Sequence, residues 1–240
     1  MLANAFPDGR IVGGVAAKLG DYPYIVSIRE DGNHFCGGAL ITWRWILTAA
    51  HCLCDAEISG HLTVQAGFIY QDAPGSCSQE KDVVQRICHA NYTPDLTDND
   101  IGLAKVNTEF TLSKTVDIIA LPSSGAYVLP QTAVVSGWGA LTENGEMSNI
   151  LYELRVNILP WNECNDIYID EFSDLLICAG FMQGGNDTCQ GDSGGPLTCY
   201  NEGRVLCAIV AAGQGCARPG FPGIYTPVHK FLDWIQQNIN

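Results

Sequence analysis

Basic residues are scarce in this chain. Lys and Arg together number 12 against 26 Asp and Glu, which leaves a formal net charge of −14 over 240 residues. Nucleic acid is therefore a poor partner, because phosphate binding needs clustered cations. A cationic substrate would be drawn in instead, since a net field steers encounter. Long apolar runs are missing as well. No apolar stretch reaches the ~18 residues of a membrane-spanning helix, so no membrane partner is expected. Long polar tracts and repeats of fixed period are also absent, which argues against a disordered chain and against a solenoid. The first residues, MLANAFPDGR, have no basic flank and too short an apolar run for a full secretory signal, although ANA (Ala3 to Ala5) resembles the small-residue end of one.

Cysteine, in contrast, is abundant. Eleven is high for a chain of this length, and the pattern reads as disulfides formed in an oxidising compartment. The count is odd, so at least one thiol lacks a partner within the chain. HCLC (His51 to Cys54) offers metal-ligand types, but no second close cluster follows it. Neither a metal nor a cofactor is expected.

At 240 residues and 47% hydrophobic, the chain has material for one domain or two small packed halves. Short apolar, β-branched runs recur between Gly, Pro, Asn and Asp clusters: Tyr24–Ile28, Ala39–Leu47, Leu62–Ala66, Ile101–Val106, Ala133–Val135, Glu153–Leu159 and Val205–Ala211. That pattern predicts an all-β sandwich or barrel. Two segments read as helix. TPVHKFLDWIQQNIN places Val228, Phe231, Leu232, Ile235 and Ile239 on one face, and LPWNECNDIYID has Pro160 at a helix start. The stretch near KTVDIIALPSSGA reads as a crossing between two halves.

The chemistry centres on CQGDSGGPL, Cys189 to Leu197. A serine hydroxyl is a poor nucleophile near neutral pH. It needs a base, a group that holds the base in the right tautomer, and donors aimed at a developing oxyanion. Glycines around Ser193 permit a tight turn and leave the Gly191 and Ser193 N–H groups free to form such a hole. His51, in LTAAHC, is the candidate base, with room left by Ala49 and Ala50. Asp100, in NDIGLAK, opens an apolar strand. A carboxylate buried there needs a partner, and an imidazole N–H is a good one. Each piece alone has a plainer reading, a satisfied core histidine or an ordinary glycine turn.

Taken together, His51 in TAAHC, Asp100 in NDI and Ser193 in GDSGGP resemble the trypsin and chymotrypsin family of serine proteases, over residues 11 to about 239. The resemblance implies two six-stranded antiparallel β-barrels packed together, the site between them, and a C-terminal α-helix. It implies an activation peptide at 1–10, an N-terminal barrel at 11–118, and a C-terminal barrel with the terminal helix at 119–240. DGRIVGG matches the family's activation motif, so cleavage of Arg10–Ile11 would free an α-ammonium to pair with Asp192. Asp187, six residues before the serine, would lie at the base of the primary specificity pocket between Gly213 and Gly223. A carboxylate there selects Arg or Lys. The family pattern implies the disulfides Cys36–Cys52, Cys164–Cys178 and Cys189–Cys216. Cys199 and Cys207 flank a hairpin and can bridge locally, while Cys54, Cys77 and Cys88 leave one over.

The chain also departs from the family. AAG (Ala211, Ala212, Gly213) stands where Ser-Trp-Gly is usual, which predicts one hydrogen bond fewer to Asp100 and wider subsites beside the pocket. Thr97 points the same way. Phe68 replaces a calcium-binding Glu and Pro222 a sodium-linked Tyr, so neither ion is expected. Asn91 (NYT) is an expected glycosylation site, whereas Asn186 (NDT) abuts the pocket and is expected to stay unmodified. The resemblance thus implies a secreted, monomeric endopeptidase activated from a zymogen. Its partners would be Arg- or Lys-bearing protein or peptide substrates, an activating protease and protein inhibitors. Two other readings are a catalytically weak or inactive protease-like binder, favoured only by AAG, and a chymotrypsin-like preference, opposed by Asp187.

Overall fold

The computed structural model describes residues 13–93, 98–123, 127–168, 173–200 and 203–239. Its first six-stranded unit is a closed antiparallel barrel in the order β2-β3-β4-β7-β6-β5. The strands are β2 (Ile25–Glu30), β3 (Asn33–Leu40), β4 (Trp45–Thr48), β5 (Leu62–Ala66), β6 (Gln79–Cys88) and β7 (Gly102–Val106). The second unit uses β8 (Thr132–Gly137), β9 (Tyr152–Ile158), β10 (Ile177–Gly180), β11 (Pro196–Cys199), β12 (Val205–Ala212) and β13 (Gly223–Pro227). They run β9-β10-β13-β12-β11-β8, and β8 pairs back to β9, which closes the ring. A two-residue strand, β1 (Val15–Ala16), pairs with the start of β9 at Tyr152 and Glu153. Closure removes the free edges that an open sheet would expose.

Period-2 alternation explains why several strands read as unbroken apolar runs. In β4, Ile46 faces the interior of the first barrel, while Trp45 and Leu47 join a cluster shared by both barrels. In β8, Ala133 and Val135 fill the second barrel and Val134 faces the shared cluster. Both faces of these strands are buried, so no polar residue marks the alternation. The shared cluster draws Tyr24, Leu103, Trp138, Ile209 and Ile235 from both halves, and it fixes how the two barrels meet.

The sequence-based runs correspond to strands, Leu62–Ala66 with unchanged ends and the others with shifted ones, with one exception. Ala39–Leu47 spans the end of β3, a turn and the start of β4. Thr42 makes that turn, its Oγ1 accepting from the N–H groups of Arg44 and Trp45. The two expected helices are present as α2 (Trp161–Ile167) and α3 (Leu232–Ile239), the latter entered through a 3-10 turn at Val228–Phe231. Val228, Phe231 and Ile235 are its buried face. A further single turn, α1 (His51–Cys54), follows β4. Among the described residues, no helix is long and apolar enough to cross a membrane.

Candidate active site

His51, Asp100 and Ser193 each lie within three residues of a barrel strand's end. His51 opens α1 directly after β4, behind Ala49 and Ala50, which are fully buried. Disulfides brace the turn from two sides: Cys52 joins Cys36 in β3, and Cys54 joins Cys88 at the end of β6. Asp100 precedes β7 and is 1% exposed. Its two oxygens are both used by His51. Oδ1 accepts from the His51 main-chain N–H at 3.0 Å, and Oδ2 pairs with ring Nδ1 at 2.7 Å. The imidazole is thereby held with Nδ1 protonated and Nε2 free to take a proton. Burial works against a charged ring, but the hydrogen bond and charge of Asp100 outweigh it and raise the His51 pKa above its ordinary value. Thr226 in β13 donates to the Asp100 backbone carbonyl at 3.1 Å, which ties the carboxylate's position to the second barrel.

Ser193 lies on the second barrel, in the turn before β11. Its carbonyl accepts from Gly37 N–H of β3 at 2.8 Å. Gly194 has φ +73°, and a Cβ on it would lie 2.0 Å from Thr48 Oγ1 and 3.0 Å from Ala49 N. Only glycine fits this close approach, which seats the serine turn against the residues leading into His51. Gly191, at φ +93°, orients the other end of the turn. Neither Gly191 N–H nor Ser193 N–H has a hydrogen-bond partner among the described residues. Two unused donors beside a serine are an acceptor site.

Asp192 is 1% exposed and accepts from Gly139 N–H at 2.8 Å and Cys189 N–H at 3.0 Å. Burial pushes its pKa up to about 6 despite those bonds. No ion pair to it occurs among the described residues. Arg10 and Ile11 lie outside the described residues, as does Thr97. A Cβ on Gly13 would lie 1.5 Å from Asn186 Oδ1, so Gly13 packs directly against the residue that precedes Asp187.

A cavity of about 170 Å³ adjoins Ser193, walled by Thr188, Gln190, Ala212, Gly213 and Cys216 among others. Asp187 is 3% exposed and bonded to both wall segments: Oδ1 accepts from Thr188 N–H at 2.8 Å, and Oδ2 from Ala217 N–H at 3.2 Å. A Cβ on Gly223 would lie 3.0 Å from Asp187 Oδ1, so this glycine leaves the carboxylate unobstructed. Burial raises the Asp187 pKa to about 6, with those N–H groups opposing the rise. A poorly solvated carboxylate of this kind gains much from a cation.

A model of the trypsin family matches residues 11–235. The chain belongs to the trypsin family. It is 40% identical over 236 residues to Trypsin-1 of Astacus astacus, covering 95% of this chain and 99% of that protein. It is 38% identical over 238 residues to a trypsin of Xenopus laevis, covering 99% of this chain and 94% of that protein. Membership supports serine endopeptidase activity on protein substrates.

All four expected disulfides form, together with Cys54–Cys88, which the sequence left open; Cys77 is exposed and unpaired. Phe68 is buried and stacks on Trp138 at a centroid distance of 4.8 Å. Pro222 accepts a hydrogen bond from Tyr168 through its carbonyl. Ala211 is buried, and Ala212 lines the cavity. Asn91 is exposed. Sequence reasoning missed His34. Burial lowers its pKa to about 4, so the neutral ring bridges Ser27 Oγ at 2.8 Å and the Gly191 carbonyl at 3.1 Å. A histidine next to the buried apolar run of β3 was the only signal for it.

Proposed function

We propose that this trypsin-family member is a secreted endopeptidase that cuts after Arg or Lys once the Arg10–Ile11 bond has been cleaved. The observation that carries the specificity is Asp187, a buried carboxylate with no cation paired to it among the described residues, bonded to both walls of a cavity that opens at Ser193. A guanidinium or ammonium entering between Gly213 and Gly223 supplies the missing charge. In this reading His51 takes the Ser193 proton as Oγ attacks the scissile carbonyl, then returns it to the leaving amine. Asp100 holds the ring and stabilises the imidazolium. Gly191 and Ser193 N–H groups receive the oxyanion.

Activation rests on Asp192. A freed Ile11 α-ammonium, with a pKa near 8, would neutralise its buried carboxylate. That pairing would hold the Gly191–Ser193 backbone, because Asp192 is covalently part of it. An activating protease that cuts after Arg is the implied partner, and protein inhibitors and a monomeric state accompany the reading. The five disulfides support an oxidising, extracellular setting, and exposed Asn91 supports a glycan there.

The test has two steps. The chain is cleaved with trypsin, the added protease is removed, and Ser193 is titrated with a fluorophosphonate. A protein pool is then digested and its new termini are read by mass spectrometry. Labelling with cuts confined to Arg and Lys is the expected result. Absence of labelling would leave a protease-like binder, and labelling with cuts elsewhere would overturn the specificity.

A further inference from the structure

We propose that Glu143 and Arg218 act as a positioning pair that clamps the rim of the primary pocket to the loop backing the Gly191 turn. The inference rests on the peptidase reading above and deepens it by adding residues that set pocket quality. Arg218 donates to Glu143 from both Nε, at 2.8 Å to Oε2, and Nη2, to Oε1. Oε2 also takes a long contact from Cys216 N–H at 3.4 Å. One carboxylate thus holds both ends of the segment 216–218, whose first residue walls the cavity and is disulfide-bonded to Cys189.

On its own side, Glu143 belongs to the loop between β8 and β9, and that loop reaches the oxyanion turn. Ala140 N–H donates to the Gln190 carbonyl at 2.7 Å, and Asn144 N–H to Gln190 Oε1 at 3.3 Å. A Cβ on Gly191 would lie 3.1 Å from Met147 Sδ and 3.2 Å from Gly139 Cα, so the loop packs directly behind that glycine. A continuous path therefore runs from the pocket rim, through one ion pair, to the donor turn. Exposed ion pairs usually contribute little. This one is bidentate, a geometry that fixes direction as well as distance. The guanidinium also holds the Glu143 carboxyl below its usual range, so the clamp persists across the pH range of catalysis.

The experiment uses the activated full chain, normalised by fluorophosphonate titration, with peptide anilides bearing P1 Arg. Glu143→Gln and Arg218→Gln should each lower kcat/KM by about fivefold, with KM raised and the titratable fraction unchanged. The double variant should be no worse than either single one. The swap Glu143→Arg with Arg218→Glu should recover most of the loss. Wild-type kinetics among the single variants, additive losses in the double, or a failed swap would overturn the clamp. A wild type that titrates but leaves Arg substrates uncut would sink the specificity reading instead, before any variant is compared.

Discussion

Replacing Asp187 by Asn removes one charge and almost no volume, so its consequences can be worked from the local contacts. In the wild type, Oδ1 accepts from Thr188 N–H and Oδ2 from Ala217 N–H. Asn keeps one acceptor and turns the other position into a donor facing a donor. That mismatch costs about 1–2 kcal/mol, but losing a carboxylate whose pKa burial has raised to about 6 relieves a penalty of similar size above that pH, so Tm at pH 7.5 should change little. The larger effect falls on substrate. A guanidinium carried into a buried site loses its counter-charge, and leaving one partner of a buried pair alone costs about 3–5 kcal/mol. At about 1.36 kcal/mol per tenfold, kcat/KM for a P1 Arg peptide should drop roughly 150- to 5,000-fold. A matched P1 Leu peptide has no charge to lose, so its kcat/KM should hold steady. The assay is the Arg/Leu ratio of kcat/KM at titrated enzyme concentration, which cancels any loss of folded protein. The same carboxylate predicts a pH signature. Its raised pKa of about 6 means that it gains a proton as pH falls through that value, so KM for Arg should rise below pH 6 and KM for Leu should not. A variant whose Arg/Leu ratio changes by less than about tenfold would refute the placement of Asp187 as the cation's partner.

Four more outcomes concern the site and the disulfide that braces it. The raised His51 pKa places the acid limb of kcat/KM above the ordinary imidazole value, and activity should climb with pH through it as the ring becomes neutral. Asp100→Asn should move that limb down and cut kcat by about 10⁴ through the wrong tautomer, both visible in a pH–rate profile. Asp192 binds its proton more tightly folded than unfolded, so in the uncleaved protein it contributes nothing below pH 3.8 and destabilises progressively as pH rises to about 6. The full penalty is about 3 kcal/mol above that pH, and melts at pH 3 and 7.5 should show wild type losing ground to Asp192→Asn only at the higher value. Cleavage at Arg10–Ile11 should abolish that difference. Removing Cys54–Cys88, which closes a sequence separation of 34, should cost about 3–4 kcal/mol in denaturant melts.

Much of the site was readable because its chemistry is concentrated in short runs. His51, Asp100 and Ser193 each sit in a distinctive context, and folding brings His51 and Asp100 into direct contact. What escaped depends on register or on neighbours far along the chain. Strand β6 carries polar residues on both faces, so Gln79–Cys88 gave no alternation to detect. The Thr42 turn vanished inside an apolar run because both flanking strands are buried on each side. Cys88 meets Cys54 only because the end of β6 lies against α1, which no count of cysteines can reveal. The same holds for the Gly139 N–H that anchors Asp192, a main-chain donor invisible in any pattern of side chains.

The shortage of basic residues acquires a second meaning if the protein cuts after Arg and Lys, because such an enzyme is its own substrate. Cleavage needs a backbone that can leave its ladder and extend into the site. Arg29, Lys81, Arg86, Lys105 and Arg155 are locked in strands. Arg44 donates to the Val106 and Asn107 carbonyls, and Arg204 to that of Asp21 while lying within 5.9 Å of three tyrosine rings. Arg218 is clamped by Glu143 and followed by Pro219, and Lys230 sits in the 3-10 turn. Among the described residues, Lys18 and Lys114 are left as exposed loop positions, so self-digestion should begin after one of them. Amino-terminal sequencing of the first fragments from a concentrated, activated sample checks this. First cuts inside β2, β6, β7 or β9 would mean that the barrels open more readily than their closed ladders imply, and the protection argued from strand pairing would fall.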